Sequence, residues 1–214
     1  MIDNAFRALL PRFVGPIVAF YGRRGWTPNH VTVFGFMIAV FASMAVALQF
    51  WWLALVLWWL SRLADGTDGV YARESGQVSD FGAYFDIMLD MAAYGAMVLG
   101  FAIAAPEFQA QWMGILFLYI LCISTALALG MQEAKREIPS RDNRGLRLGA
   151  GLAEGGETGI AYSIFLLFPN HLGMSTTIWI GVLIVTVVAR TSLAYHTLRA
   201  APIFEADSVT PHSG

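Results

Sequence analysis

The stretch DGTDGVYARESGQVSDFGAYFDIMLD, residues 65–90, sets four carboxylates, Asp65, Asp68, Asp86 and Asp90, into a chain that is otherwise apolar enough for a membrane. An ionised group inside a bilayer costs roughly 3 kcal/mol on insertion scales, so such groups are expected to face an internal site and to share a cation. At about 100° per residue, Asp65, Asp68, Gly69 and Ala72 lie on one face of a helix, and Gly82, Asp86 and Asp90 form a stripe on the next. The turn-forming Glu74-Ser75-Gly76-Gln77 between them predicts an antiparallel helical hairpin whose two acidic faces meet. Carboxylate oxygens with no Cys or His nearby suit Mg²⁺ or Mn²⁺ rather than zinc. Four of them can hold two ions about 3.5–4 Å apart, the arrangement that serves phosphoryl transfer.

The rest of the chain supports a membrane setting. Its 214 residues are 57% hydrophobic and 13% charged, a balance that excludes an ordinary soluble domain. The predicted fold is all-α: a polytopic membrane bundle of six transmembrane helices, near residues 29–49, 51–73, 79–105, 110–134, 148–168 and 174–200. Residues 1–25 read as an interfacial amphipathic helix, with Ile2, Phe6, Leu9, Leu10, Phe13 and Ile17 at helical spacing. Residues 26–201 form the catalytic transmembrane domain, and residues 202–214 read as a disordered tail. All 13 basic residues fall at one side or in the adjoining half-membrane, which puts both termini and the carboxylates in the cytoplasm. The expected location is a bacterial inner membrane.

Written out, the central stretch is Asp65-xx-Asp68-Gly69-xx-Ala72-Arg73, eight residues, then Gly82-xxx-Asp86-xxx-Asp90. It resembles the CDP-alcohol phosphotransferase signature at every fixed position. Upstream, Thr27-Pro28-Asn29-His30-Val31-Thr32 is similar to that family's entry into its first membrane helix. The resemblance implies an enzyme of phospholipid biosynthesis. It would move a phosphatidyl group from CDP-diacylglycerol, or a similar CDP-linked lipid, to the hydroxyl of a small polar alcohol with release of CMP. It implies Asp65, Asp68, Asp86 and Asp90 as ligands of Mg²⁺ or Mn²⁺, two ions in all, with Asp90 also the general base. Asp68, Gly69, Ala72, Arg73 and Gly82 would bind the CDP-lipid: the small residues leave a slot for a flat cytosine, and Arg73 reaches phosphate.

The acceptor side is carried by fewer residues. Lys135, Arg144, Arg147 and Arg190 are candidates for a phosphorylated alcohol, and Glu154 and Glu157 for an amine or hydroxyls. Relatives with phosphorylated acceptors carry an arginine directly after a glutamate in the fifth helix, whereas Thr158 follows Glu157 here. Other partners expected are membrane lipids and a second copy of the chain, the latter from resemblance and from Gly95 and Gly100, but no nucleic acid. Two other classes fit an acidic intramembrane pair: a Mg²⁺-dependent prenyl diphosphate transferase and a non-enzymatic divalent-cation carrier. The first needs a second acidic motif that the chain lacks, and the second needs access from both membrane faces. His30, His171, His196 and His212 have no metal-ligand spacing, and the lone Cys122 reads as a small core hydrophobe.

Overall fold

The computed structural model describes residues 14–136 and 155–200. A short helix, α1 (14–23), leads into α2 (Pro28–Ala47), α3 (Trp51–Glu74), α4 (Asp80–Ala104), α5 (Gln109–Lys135), α6 (Gly155–Leu167) and α7 (Leu172–Ala200). The bundle is entirely helical among the described residues. Four of these helical stretches, not the six expected, are long and apolar enough to cross a membrane: Pro28–Ala47, Asp80–Ala104, Pro106–Lys135 and Pro169–Arg199. The reason is local in both remaining cases. Any stretch of α3 long enough to cross contains Arg62, Asp65 and Asp68. The 13 described residues of α6 reach about 20 Å, short of a hydrocarbon core of about 30 Å.

Local signals explain where the central helices start and stop. Thr27 caps α2 through its hydroxyl, while His30 reaches back to the Thr27 N–H at 3.1 Å, and Pro28 occupies the first turn, where its missing N–H costs nothing. Helix α3 ends in a Schellman motif. Gly76 takes φ +65°, its N–H bonds to the Arg73 carbonyl, and Gln77 N–H bonds to the Ala72 carbonyl. Ser79 then caps α4 through the Gly82 N–H at 3.0 Å. Only residues 75–79 separate the two acidic helices, and both ends of that turn are fixed.

The packing departs from a simple hairpin. Helix α2 packs extensively on both α3 and α4, whereas α3 and α4 scarcely approach each other through their backbones. Small residues on α2 make this possible. A Cβ at Gly35 would sit 3.2 Å from Ala64 Cβ of α3, and one at Gly100 of α4 would sit 2.5 Å from the Ser43 carbonyl oxygen of α2. Ser43 Oγ also donates to the Ala96 carbonyl at 2.5 Å. Gly100 therefore serves contact within the chain, while Gly95 meets nothing within 4 Å. On the opposite flank of α2, Val33, Phe34, Met37, Phe41 and Met44 are exposed, as befits a helix that faces lipid.

The second half of the bundle pairs α5 with α7, and α6 joins it to the first. An aromatic core holds the two halves together. Trp58 and Tyr162 lie 5.2 Å apart, and Phe101 stacks on Trp112, also at 5.2 Å. Trp58 is fully buried, whereas its neighbour Trp59 is exposed on 44% of its surface.

Gly100→Ala is expected to lower the thermal midpoint of the purified protein, because forcing a methyl into a closed contact costs about 1–3 kcal/mol. Gly95→Ala, at an open position, should leave the midpoint unchanged or raise it slightly. Both are read by fluorescence-monitored unfolding in the same detergent.

Candidate active site

Three of the four motif aspartates converge. One carboxylate oxygen from each of Asp65, Asp68 and Asp86 lies within 4.8 Å of the other two. That is close to the span of about 4.2 Å between opposite oxygens around Mg²⁺. Asp65 and Asp68 come from α3 and Asp86 from α4, so the triad exists only because α2 holds those helices at this separation. Its donor set, three carboxylates without sulfur or imidazole, fits a hard divalent cation.

Asp68 is the most buried of the three at 5% exposure. Thr32 of α2 donates its hydroxyl to Asp68 Oδ2 at 2.6 Å, a charge-assisted bond that fixes the carboxylate's direction. The same hydroxyl lies 3.1 Å from the Pro28 carbonyl, and its single proton favours the nearer, charged acceptor. Beside Asp68 on α3, Thr67 donates to the Ala64 carbonyl at 2.8 Å, which leaves Tyr21 of α1 as donor to Thr67 Oγ1 at 3.1 Å. Helix α1 thereby braces the turn of α3 that carries Asp68.

The fourth aspartate is engaged differently. Asp90 Oδ1 receives Arg62 Nη1 at 2.5 Å, and Asp90 Oδ2 receives the Tyr94 hydroxyl at 3.3 Å. Arg62 also lies 3.7 Å from Asp65 Oδ2, bridging the two helices. The sequence pattern accounts for Arg62 only as a positive-inside residue and for Thr32 only as the end of the upstream motif, and it gives Tyr94 no role. The spacing held a signal: Trp58, Arg62, Asp65 and Gly69 lie on one stripe of α3, where an arginine one turn before a buried aspartate makes a natural partner.

Small residues and Arg73 border the triad. A Cβ at Gly69 would meet only Arg73 Nη1, at 3.5 Å, so the space above that turn is open and the guanidinium folds over it. A Cβ at Gly82 would meet Ser79 Oγ at 3.1 Å and Asn29 Oδ1 at 3.5 Å, which brings the upstream Thr-Pro-Asn motif against the second half of the central one. Ala72 and Gly82 are half-buried.

Three of the acceptor candidates, Lys135, Glu157 and Arg190, fall among the described residues, on α5, α6 and α7. Lys135 is exposed at the end of α5. Arg190 is buried between α5 and α7, where it donates to the Cys122 carbonyl at 2.8 Å. Glu157 lies in the first turn of α6, whose Gly155 faces the Tyr94 hydroxyl at 3.1 Å from a Cβ placed there. Arg144, Arg147 and Glu154 lie outside the described residues.

Comparison with known proteins now decides the family. The chain matches the CDP-alcohol phosphatidyltransferase family over residues 26–189. It belongs to that family. It is an integral membrane transferase of phospholipid biosynthesis, with a metal-binding acidic cluster. Over 203 residues it is 32% identical to the inner membrane protein YnjF of Escherichia coli K12, covering 94% of this chain and 98% of that protein. It is 27% identical over 202 residues to the phosphatidylinositol phosphate synthase of Mycobacteroides abscessus, covering 92% of this chain and 88% of the relative. Its fold matches the Mycobacterium tuberculosis phosphatidylinositol phosphate synthase crystallised with CDP-DAG bound, at TM-score 0.65 and 23% identity, covering 86% of this chain and 94% of that one. The same mycobacterial enzyme in complex with manganese and citrate gives TM-score 0.61 at 22% identity, covering 86% and 89%.

Thr32→Val removes the bond to Asp68 while keeping the side-chain volume. It should weaken Mn²⁺ binding about 10-fold, the usual effect of losing a partner of a metal ligand, with little change in thermal midpoint. Titration of Mn²⁺ followed by electron paramagnetic resonance checks this.

Proposed function

We propose that this chain transfers a phosphatidyl group from CDP-diacylglycerol, or a closely similar CDP-linked lipid, to the hydroxyl of a small polar alcohol and releases CMP. The observation that carries the proposal is the convergence of Asp65, Asp68 and Asp86 from two helices to within 4.8 Å, on the residues of the family motif. Family membership also sets aside the prenyl diphosphate transferase and the cation carrier, neither of which needs this signature.

In the reaction, the acceptor hydroxyl oxygen forms a bond to the β-phosphorus, the bond from that phosphorus to the CMP oxygen breaks, and the hydroxyl proton passes to a base. Asp65, Asp68 and Asp86 would hold Mg²⁺ or Mn²⁺, which neutralises the charge of the diphosphate. The second ion expected from sequence would need Asp90, a carboxylate already engaged by Arg62. Arg73, folded over Gly69, would receive a phosphate oxygen, and the open space above Gly69 would admit the cytosine, with Ala72 and Gly82 as the small motif residues that flank it. Asp90 is the base. Its Oδ1 is fixed by Arg62, and Oδ2, in a longer bond with Tyr94, is the oxygen free to take the proton.

Acceptor recognition falls to residues on the α4–α6 side of Asp90, with Glu157 a candidate because it shares the first turn of α6 with Gly155, which lies against the Tyr94 hydroxyl. The motif opens toward the cytoplasm by the positive-inside pattern, so CMP is released there.

The test is direct. Purified protein offered CDP-diacylglycerol, Mn²⁺ and a panel of alcohols should release CMP and form one new phospholipid, identified by mass spectrometry. Asp90→Asn should lower turnover about 10²–10⁴-fold, the contribution of a positioned base, while CDP-lipid binding persists. Absence of CMP with every alcohol would refute the proposal, and joint loss of binding and turnover in Asp90→Asn would remove the separate base role.

A further inference from the structure

Tyr94 stands one turn beyond Asp90 on α4, with only 5% of its surface exposed. Its hydroxyl is shared between two groups. Arg62 Nη1 donates to it from 3.3 Å, and its own single proton is left for Asp90 Oδ2, also at 3.3 Å. The ring has little freedom to move. The Arg62 guanidinium carbon lies 5.1 Å from its centre, the Trp58 ring of α3 packs against it edge-on at 6.0 Å, and the Tyr119 ring of α5 lies at 6.3 Å. The backbone is anchored as well, because Tyr162 of α6 donates its hydroxyl to the Tyr94 carbonyl at 3.0 Å. Contacts from α3, α5 and α6 therefore fix where this hydroxyl stands.

Gly155 ties that position to the acceptor side. A Cβ placed there would lie 3.1 Å from the Tyr94 hydroxyl oxygen, and it would meet no other side chain within 4 Å beyond its chain neighbours among the described residues. Gly159, one turn further along α6, is different: its Cβ would meet Trp59 at an ordinary 3.8 Å. A residue larger than glycine at 155 would thus press on one atom, the hydroxyl that bonds to Asp90. We infer that Tyr94 is a positioning residue for the acceptor step: it holds Asp90 Oδ2 turned toward the first turn of α6, where the alcohol enters, and Gly155 is the glycine that this bond requires. A carboxylate oxygen has two lone-pair sites, so Oδ2 keeps the Tyr94 bond and still accepts the hydroxyl of the incoming alcohol. The inference rests on the reading of Asp90 as the base and deepens it. It concerns how that carboxylate is aimed and is separate from metal binding.

The experiment measures transfer by the purified full chain in lipid nanodiscs, with labelled CDP-diacylglycerol, Mn²⁺ and, in turn, glycerol phosphate, inositol phosphate and serine. Wild type, Tyr94→Phe, Gly155→Ala and the double variant are compared with the alcohol that wild type uses. Each single change should lower kcat about 10-fold, the effect of losing a hydrogen bond to a charged group. The KM for CDP-diacylglycerol and the affinity for Mn²⁺ should stay at their wild-type values. The double variant should be no slower than Tyr94→Phe, about 10-fold down rather than about 100-fold, because the added methyl has lost the atom it would disturb. Wild-type kcat in Tyr94→Phe, additive losses in the double variant, or a loss accompanied by weaker Mn²⁺ and CDP-diacylglycerol binding would each overturn the inference and leave the transferase reading intact. Should Tyr94→Phe fail to fold, Gly155→Ala decides, and an unchanged kcat there is contradictory. Absence of transfer by wild type with all three alcohols would count against the transferase reading itself, and the inference would fall with it.

Discussion

The site depends on a gap of fixed width between two helices whose backbones scarcely approach each other. Helix α2 sets that width by packing on both, with Gly35 against Ala64 on one side and Ser43 against Gly100 on the other. Were α3 and α4 in direct contact, as in an ordinary hairpin, their aspartates would collide or be driven outward. Were they a few ångströms further apart, no ion could be shared. Small residues serve here for spacing, because in lipid no hydrophobic force pulls helices together and close packing must do so. The same helix then contributes chemistry, since its first turns supply Thr32 to Asp68 and Asn29 to the Gly82 turn.

Charge in an apolar setting is the second constraint, and the structure answers it by local pairing. Asp90 and Asp65 share Arg62, Asp68 receives Thr32, and the triad oxygens are close enough to one another to share a cation. The cost of placing such groups in α3 appears in the helix itself, which is too charged to qualify as an apolar span although it is long enough. Function and membrane insertion therefore compete within one helix. The competition is resolved by burying the face of α3 that carries Asp68 against α2 and α1, while Trp52, Leu53, Val56 and Trp59 keep the first half of the helix apolar on its exposed side.

Much of this was legible in the sequence because the decisive signals are short-range. The aspartate spacing, the Gly76 turn and the Thr27 cap are all read within one or two helical turns, and the helix positions follow from apolar runs. What was not legible depends on which helix lies third. The wedging role of α2 could not be inferred from a motif on α3 and α4 alone, and Gly100 was assigned to contact between copies although it packs inside the chain. Arg62 was hidden by a correct but incomplete explanation: positive charge near the cytoplasmic side accounts for an arginine at that depth without asking what it faces. Arg190, an acceptor candidate from its place in the last helix, is found buried with a bond to a backbone carbonyl of α5, a contact no short-range pattern announces.

The most direct measurement is anomalous diffraction from crystals of the protein grown in lipid with Mn²⁺. The account predicts a manganese peak in simultaneous contact with carboxylates of both α3 and α4, Asp65 and Asp68 on one side and Asp86 on the other. A peak held by one helix alone, or carboxylates too far apart to touch a common ion, would contradict it.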